Sequence, residues 1–355
     1  MKGKIIIAGL VLLTTGCASD DVGQLDSPQA VAFMSGITHS MTRTTTRDNV
    51  WDGTEQIAVS DVSGSVVKPY RPEGAGTSVA LTPYGDDAST KAANTIYWPI
   101  NKGARTFEAW YPYNEGVRPS TWTVAADQSA ITNSEYDAYD LLFATSGTVA
   151  NGATVTLPFY HQMAHVIVYI RGLAWTAQEI NSITFGDNNV AVTGTVAMGS
   201  TGIPSATGYW SVGAANNTVT LRHLANTLTW ECLLPPQTGG SASGNLLTFD
   251  TTTDQATFND KKQENEQWNT GMAAKTYNYN SAINLEAGKE YSFFIRLERV
   301  GMSVASTITD WDAEVSSAEV EAIYQPITMG GSLTGWEDPE TKVDAGQLDF
   351  THTEE

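Results

Sequence analysis

Short runs of alternating or β-branched residues, each closed within a few positions by Gly, Asn, Asp or Pro, recur along most of this chain. Alternation of period two turns one side of a run toward a core and the other toward solvent, the pattern of a strand. The spacing predicts an all-β chain, with strands at residues 30–37, 56–62, 95–99, 105–111, 141–145, 154–159, 164–171, 190–196, 218–222, 227–234 and 291–297. So close a succession suggests packed sandwiches rather than a parallel sheet flanked by helices. In the run 164–171, Val166, Val168 and Ile170 fall on one face and Ile167 and Tyr169 on the other, which predicts a central strand buried on both sides. Helix is sparse. One short turn is expected at residues 176–182, where Thr176 can cap and Glu179 follows three positions later.

A length of 355 residues suits two domains, each with its own core, and the join is expected near Gly147 to Gly152. The segments 238–244 and 251–271, rich in Gly, Ser, amides and charge, read as surface loops. A net charge of −20 repels phosphate backbones, so nucleic acid is not expected as a partner. The two cysteines are Cys17, near the N-terminus, and Cys232, alone in an apolar run. No disulfide framework follows, and Cys232 reads as a small core hydrophobe.

At the N-terminus Lys2 and Lys4 precede the apolar run Ile5 to Leu13, and Thr14-Thr15-Gly16-Cys17 follows. A positive start, a short apolar stretch too brief to span a bilayer and small residues at the cut describe an export signal. The cysteine after small residues resembles the bacterial lipobox, although Thr14 stands where Leu is usual. That resemblance implies lipid on Cys17, and Ser19-Asp20-Asp21 resembles the acidic export tag of Bacteroidetes surface lipoproteins. The destination expected is the outer face of the cell's outer membrane.

Catalytic constellations do not assemble. Gly240-Ser241-Ala242-Ser243-Gly244 has its serines out of register for a nucleophile elbow, and there is no phosphate-binding glycine fingerprint. His161 and His165 are four apart, but a strand puts them merely on one face, and Gln162 stands where a metalloprotease needs Glu. Asp52-Gly53 reads as a turn, because the calcium-loop pattern fails at the third and twelfth places. Asp310, Asp312 and Glu314 alternate around Trp311 as carboxylates could in a glycosidase, in a chain where acidic residues are common. Neither an enzyme, nor a metal site, nor a cofactor is expected.

Several segments, in order, resemble the fimbrillin family of Bacteroidetes, the subunits of type V pili. They are Val50-Trp51-Asp52-Gly53 leading to Gln56-Ile57-Ala58-Val59, then Tyr97-Trp98-Pro99, Thr106-Phe107-Glu108-Ala109-Trp110-Tyr111-Pro112 and Tyr139-Asp140-Leu141-Leu142-Phe143-Ala144. Val155-Thr156-Leu157-Pro158-Phe159-Tyr160-His161-Gln162-Met163-Ala164-His165, Leu234-Pro235-Pro236-Gln237 and Ile308-Thr309-Asp310-Trp311 complete the set. The resemblance implies two transthyretin-like β-sandwich domains in tandem. With it the chain divides into a lipoprotein signal at 1–17, a propeptide with the first strand at 18–47, an N-terminal sandwich at 48–150, and a C-terminal sandwich with an acidic extension at 151–355.

It further implies that a trypsin-like protease cuts after an arginine, removing lipid and first strand together, and that a strand from another subunit fills the gap. Arg47 and Arg43 lie in a polar stretch suited to such a cut, and Val31, Phe33 and Ile37 share one face of the strand it would release. Val320, Ala322, Ile323, Tyr324 and Ile327 would form the donor strand, with Leu348 to Phe350 as a second contributor. Partners would be copies of the same subunit, tip and anchor proteins, and a host glycan or protein. A second reading, resting on ten Trp and fourteen Tyr, is a tip adhesin or a monomeric surface lipoprotein that binds host glycan or protein.

Overall fold

The computed structural model describes residues 28–37, 50–171, 177, 180–197, 210–239, 245–252, 276–298 and 301–310. Among the described residues the structure is all-β, with 56% strand and 6% helix. Its first part contains β1 (Phe33–Ile37), β2 (Ile57–Asp61), β3 (Val66–Pro72), β4 (Ser78–Pro83), α1 (Ala88–Asn94), β5 (Arg105–Tyr111), β6 (Thr121–Thr123), α2 (Asn133–Asp137), β7 (Leu142–Val149) and β8 (Val155–His161). Seven of these strands form one ladder that closes on itself in the order β1-β4-β3-β2-β5-β7-β8. Every junction is antiparallel except the last, where β1 runs parallel to β8. Where a sandwich is expected, the ladder here closes into a barrel, because β1 bonds to β4 on one side and β8 on the other.

Alternation fills the barrel. Phe33, Tyr70, Phe107, Phe159 and Trp51 are buried in its core, and Phe33 meets Tyr70 and Phe107 edge-on with centroids 5.2 Å apart in each pair. Each such ring contributes about 1.5–3 kcal/mol by leaving water.

The second part comprises β9 (Ala164–Arg171), β10 (Ile180–Val190), β11 (Thr193–Val196), β12 (Trp210–Val212), β13 (Asn217–Thr220), β14 (Arg222–His223), β15 (Thr229–Leu234), β16 (Gln237–Gly239), β17 (Leu247–Thr251), β18 (Thr276–Tyr279), β19 (Ile283–Leu285), β20 (Lys289–Glu298) and β21 (Gly301–Asp310). A five-stranded sheet, β14-β15-β9-β20-β21, shares a core with a four-stranded sheet, β13-β10-β17-β18. Val166, Val168 and Ile170 of β9 meet Phe185, Phe249 and Phe293 there, and the free thiol of Cys232 is buried among them. As expected, β9 is central and buried on both faces over most of its length. A third apolar cluster ties the outward side chains Ala58, Trp110 and Phe143 of the barrel to Met163, Val196 and Leu233.

Two glutamines act as substitute strand neighbours. Gln128 accepts a hydrogen bond from the Leu233 N–H (3.1 Å) and donates to the Leu233 carbonyl (2.9 Å) and the Ala125 carbonyl (3.1 Å). Gln237 does the same for Ala191, accepting at 2.5 Å and donating at 2.7 Å. Both amides are buried, and each satisfies a buried backbone group in both directions.

Some expectations are corrected. The short helix over 176–182 overlaps β10, which begins at Ile180, and the expected strand 190–196 is instead the end of β10 and all of β11. Residues 95–99 contribute a single bridge, Ala30 to Tyr97, rather than a strand. The start of the loop expected at 238–244 belongs to β16.

Candidate functional site

β1 is the strand whose pairing holds the barrel shut. Four of its residues pair with β4, from Phe33 with Leu81 to Gly36 with Ser78, and all five with β8, from Phe33 with Val155 to Ile37 with Phe159. Its inward side chains Phe33, Ser35 and Ile37 are buried, as is Val31 just before it. The Ser35 hydroxyl donates to the Val79 carbonyl at 3.2 Å. Taking β1 away would expose backbone donors and acceptors along both β4 and β8, beside the slot that Phe33 fills.

Among the residues singled out from sequence, Phe33 and Ile37 lie on this strand and Val31 just before it, all three in one buried cluster. Cys17, Arg43, Arg47 and the donor set Val320, Ala322, Ile323, Tyr324 and Ile327 lie outside the described residues, as do Asp312 and Glu314. Asp310 is the last residue of β21, its backbone paired with Lys289.

The two histidines sit on different strands rather than on one, His161 ending β8 and His165 near the start of β9. His161 Nδ1 lies 2.8 Å from Asp140 Oδ2. His165 is held between two buried carboxylates, with Nε2 3.2 Å from Glu231 Oε2 and Nδ1 3.2 Å from Glu290 Oε2. Burial alone would disfavour its charge, but hydrogen bonds and attraction from Glu231 and Glu290 prevail and raise its pKa to about 9. Arg222 brings a second cation, its Nε 3.7 Å from Glu231 Oε1. The cluster joins β9, β15 and β20, and Arg222 carries it on to the N-terminus of α2 through the Thr132 carbonyl and Asn133 Oδ1. Sequence spacing alone could not find it, because Glu231 and Glu290 are 66 and 125 positions from His165.

The Asp52-Gly53 turn is built as its sequence suggests. Asp52 Oδ1 accepts from the Thr54 N–H and hydroxyl, Glu55 accepts from the Asp52 and Gly53 N–H groups, and Gly53 has φ +89°. Cys232 is sealed in the core, and burial, with the nearby Glu231 charge, raises its thiol pKa far above the ordinary range. It is therefore no accessible thiolate nucleophile.

The barrel with its closing strand and the paired sheets that follow it in the chain define an all-β protein. A family model described as fimbrillin-like matches residues 42–311, so the chain belongs to the fimbrillin-like family. It is similar to a Bacteroides uniformis protein provisionally named fimbrium subunit Fim1C, with 25% identity over 328 residues, 88% of this chain and 96% of the relative. Its fold is similar to that of two solved structures, each given provisionally as a cell adhesion protein. The Bacteroides ovatus protein has a TM-score of 0.56 at 20% identity, over 81% of this chain and 99% of its own. The Bacteroides uniformis protein has 0.54 at 19% identity, over 81% and 98%.

Proposed function

We propose that this chain is a structural subunit of a cell-surface fimbrium, built as two transthyretin-like domains in tandem and assembled by strand exchange. It is exported as a precursor lipidated on Cys17, a trypsin-like protease cuts after Arg47 or Arg43, and β1 leaves with the propeptide. The segment Val320 to Ile327 of a neighbouring subunit then takes its place between β4 and β8. The observation that carries this reading is the position of β1, the closing strand of a barrel, with both candidate arginines following it in the chain before Val50. Family membership and the similarity to a fimbrium subunit support it. A strand that pairs in parallel with β8 and antiparallel with β4 can be replaced by any strand offering the same direction and alternate apolar residues. Repetition of that exchange gives a filament.

The test is the first residue of protein sheared from the cell surface, read alongside a gel run without boiling. A start at Asp48 or Thr44 with a ladder of multimers is the expected result. A lipidated start at Cys17 with monomer alone would overturn the assembly reading and leave an anchored surface lipoprotein.

A further inference from the structure

β1 is held differently at its two ends. Just before it, the Val31 N–H donates to the Ile96 carbonyl at 2.9 Å and the Trp98 N–H donates to the Gln29 carbonyl at 2.8 Å, with Ala30 bridged to Tyr97 between them. Residues 29–31 thus have a short ladder of their own on residues 96–98, and Val31 packs in the same buried cluster as Ile96 and Trp98. At the other end the ladder to β4 stops at Gly36, and among the described residues Ile37 pairs with Phe159 of β8 alone. A cavity of about 570 Å³ opens beside Ile37, which lies in its wall with Trp51, Tyr111 and Leu142. A side chain has room there to lie against Ile37 while β1 is still in place. Each backbone hydrogen bond at a strand end adds to the cost of opening that end. Among the described residues the Val31 end has two that have no counterpart at Ile37. Arg43 and Arg47 follow Ile37 in the chain, so the cut proposed above frees the end with fewer bonds.

We propose that strand exchange starts at the Ile37 end of β1 and finishes at the Val31 end, and that the neighbouring subunit's segment Val320 to Ile327 enters with Ile327 first. To replace β1 the segment must run as β1 does, parallel to β8 and antiparallel to β4. That direction brings its C-terminal end to the place of Ile37. Each residue of β1 is then displaced as another arrives, so the slot between β4 and β8 is never left with its backbone groups and apolar wall exposed along its whole length. The anchor of residues 29–31 on residues 96–98 keeps the leaving strand in the barrel until the last step. This order rests on the strand-exchange reading and adds a direction to it.

Variants of the leaving strand test it, because Val31 and Ile37 both depart with the propeptide and the finished filament is the same in every case. The full chain, purified in detergent, is cut briefly with trypsin, the protease is inhibited, and the multimer ladder is followed in time on unboiled gels. Ile37→Ala should speed the ladder by about tenfold or more, whereas Val31→Ala should change its rate by no more than about twofold. Circular dichroism confirms that both variants fold, and Ile37→Val serves if Ile37→Ala does not. Hydrogen exchange of the uncut chain, read by mass spectrometry and corrected for intrinsic rates, gives the order of opening without any polymer. The Gly36 amide should exchange about fivefold or more faster than the Val31 and Trp98 amides. Equal speeding by both variants, speeding by Val31→Ala alone, no change from either, or exchange at Trp98 ahead of Gly36 would overturn the direction while leaving strand exchange standing. A full ladder from a chain lacking residues 320–327 would instead overturn the exchange reading, and this order with it.

Discussion

His165 Nε2 lies 3.2 Å from Glu231 Oε2 inside the protein, where neither side chain reaches water to any useful extent. With Glu290 on its other nitrogen, the ring is held as an imidazolium. Two buried carboxylates are thereby matched by two cations, His165 and Arg222. Losing one member of such a set is far costlier than its net contribution suggests, since the remaining charges stay buried.

The pH dependence follows from the sign of that shift. The folded ring keeps its proton to about pH 9, against 6.5 for a free one. Its contribution, on the order of 3 kcal/mol, is complete below about pH 6.5 and is lost as pH rises through about 9. Urea unfolding at pH 6 and pH 10 should show this alkaline loss. In His165→Gln the loss over that window should largely vanish, and stability near pH 7 should fall by about 3–5 kcal/mol. An unchanged alkaline limb in the variant would refute the assignment.

Gln128→Leu leaves the Leu233 N–H and carbonyl without partners in a buried layer. At about 1–3 kcal/mol for each orphaned group, the loss should be about 2–5 kcal/mol despite similar side-chain volume. Gln237→Leu should behave alike through Ala191. Equilibrium unfolding of each variant is the measurement.

Phe33→Ala empties the slot between Tyr70 and Phe107. The unprocessed chain should lose about 3–5 kcal/mol. Material that begins at Asp48 contains no Phe33, so the substitution should leave the stability of mature filaments unchanged. Comparing thermal melts of precursor and sheared filament checks both halves.

The strands that sequence described best are those with clear alternation on a buried face. β5 and β9 appear with the expected bounds, and β2 differs by one residue at each end. β3 was hidden by Pro69, Pro72, Lys68 and Arg71, which do not read as a strand although β3 pairs on both sides. β21 was missed because its small and hydroxyl residues give little apolar contrast beside β20, its ladder partner. α2 is a five-residue helix carried by a capping box of Thr132 and Glu135, too short for periodicity to reveal. As for the site, the apolar face of β1 was legible, but its pairing was not. Parallel contact with β8 joins residues more than a hundred positions apart, and the buried glutamine and His165 partnerships are equally remote.

The central claim is that β1 must leave for subunits to join, and a covalent lock tests it. Met34 and Thr156 face each other across the parallel β1–β8 ladder, so Met34→Cys with Thr156→Cys places two thiols on neighbouring strands at a spacing suited to a disulfide. Oxidised cells should process the chain yet yield no multimer ladder on an unboiled gel, and a reductant should restore it; each single-cysteine variant should polymerise normally. A full ladder from subunits whose disulfide is intact would contradict strand exchange at β1.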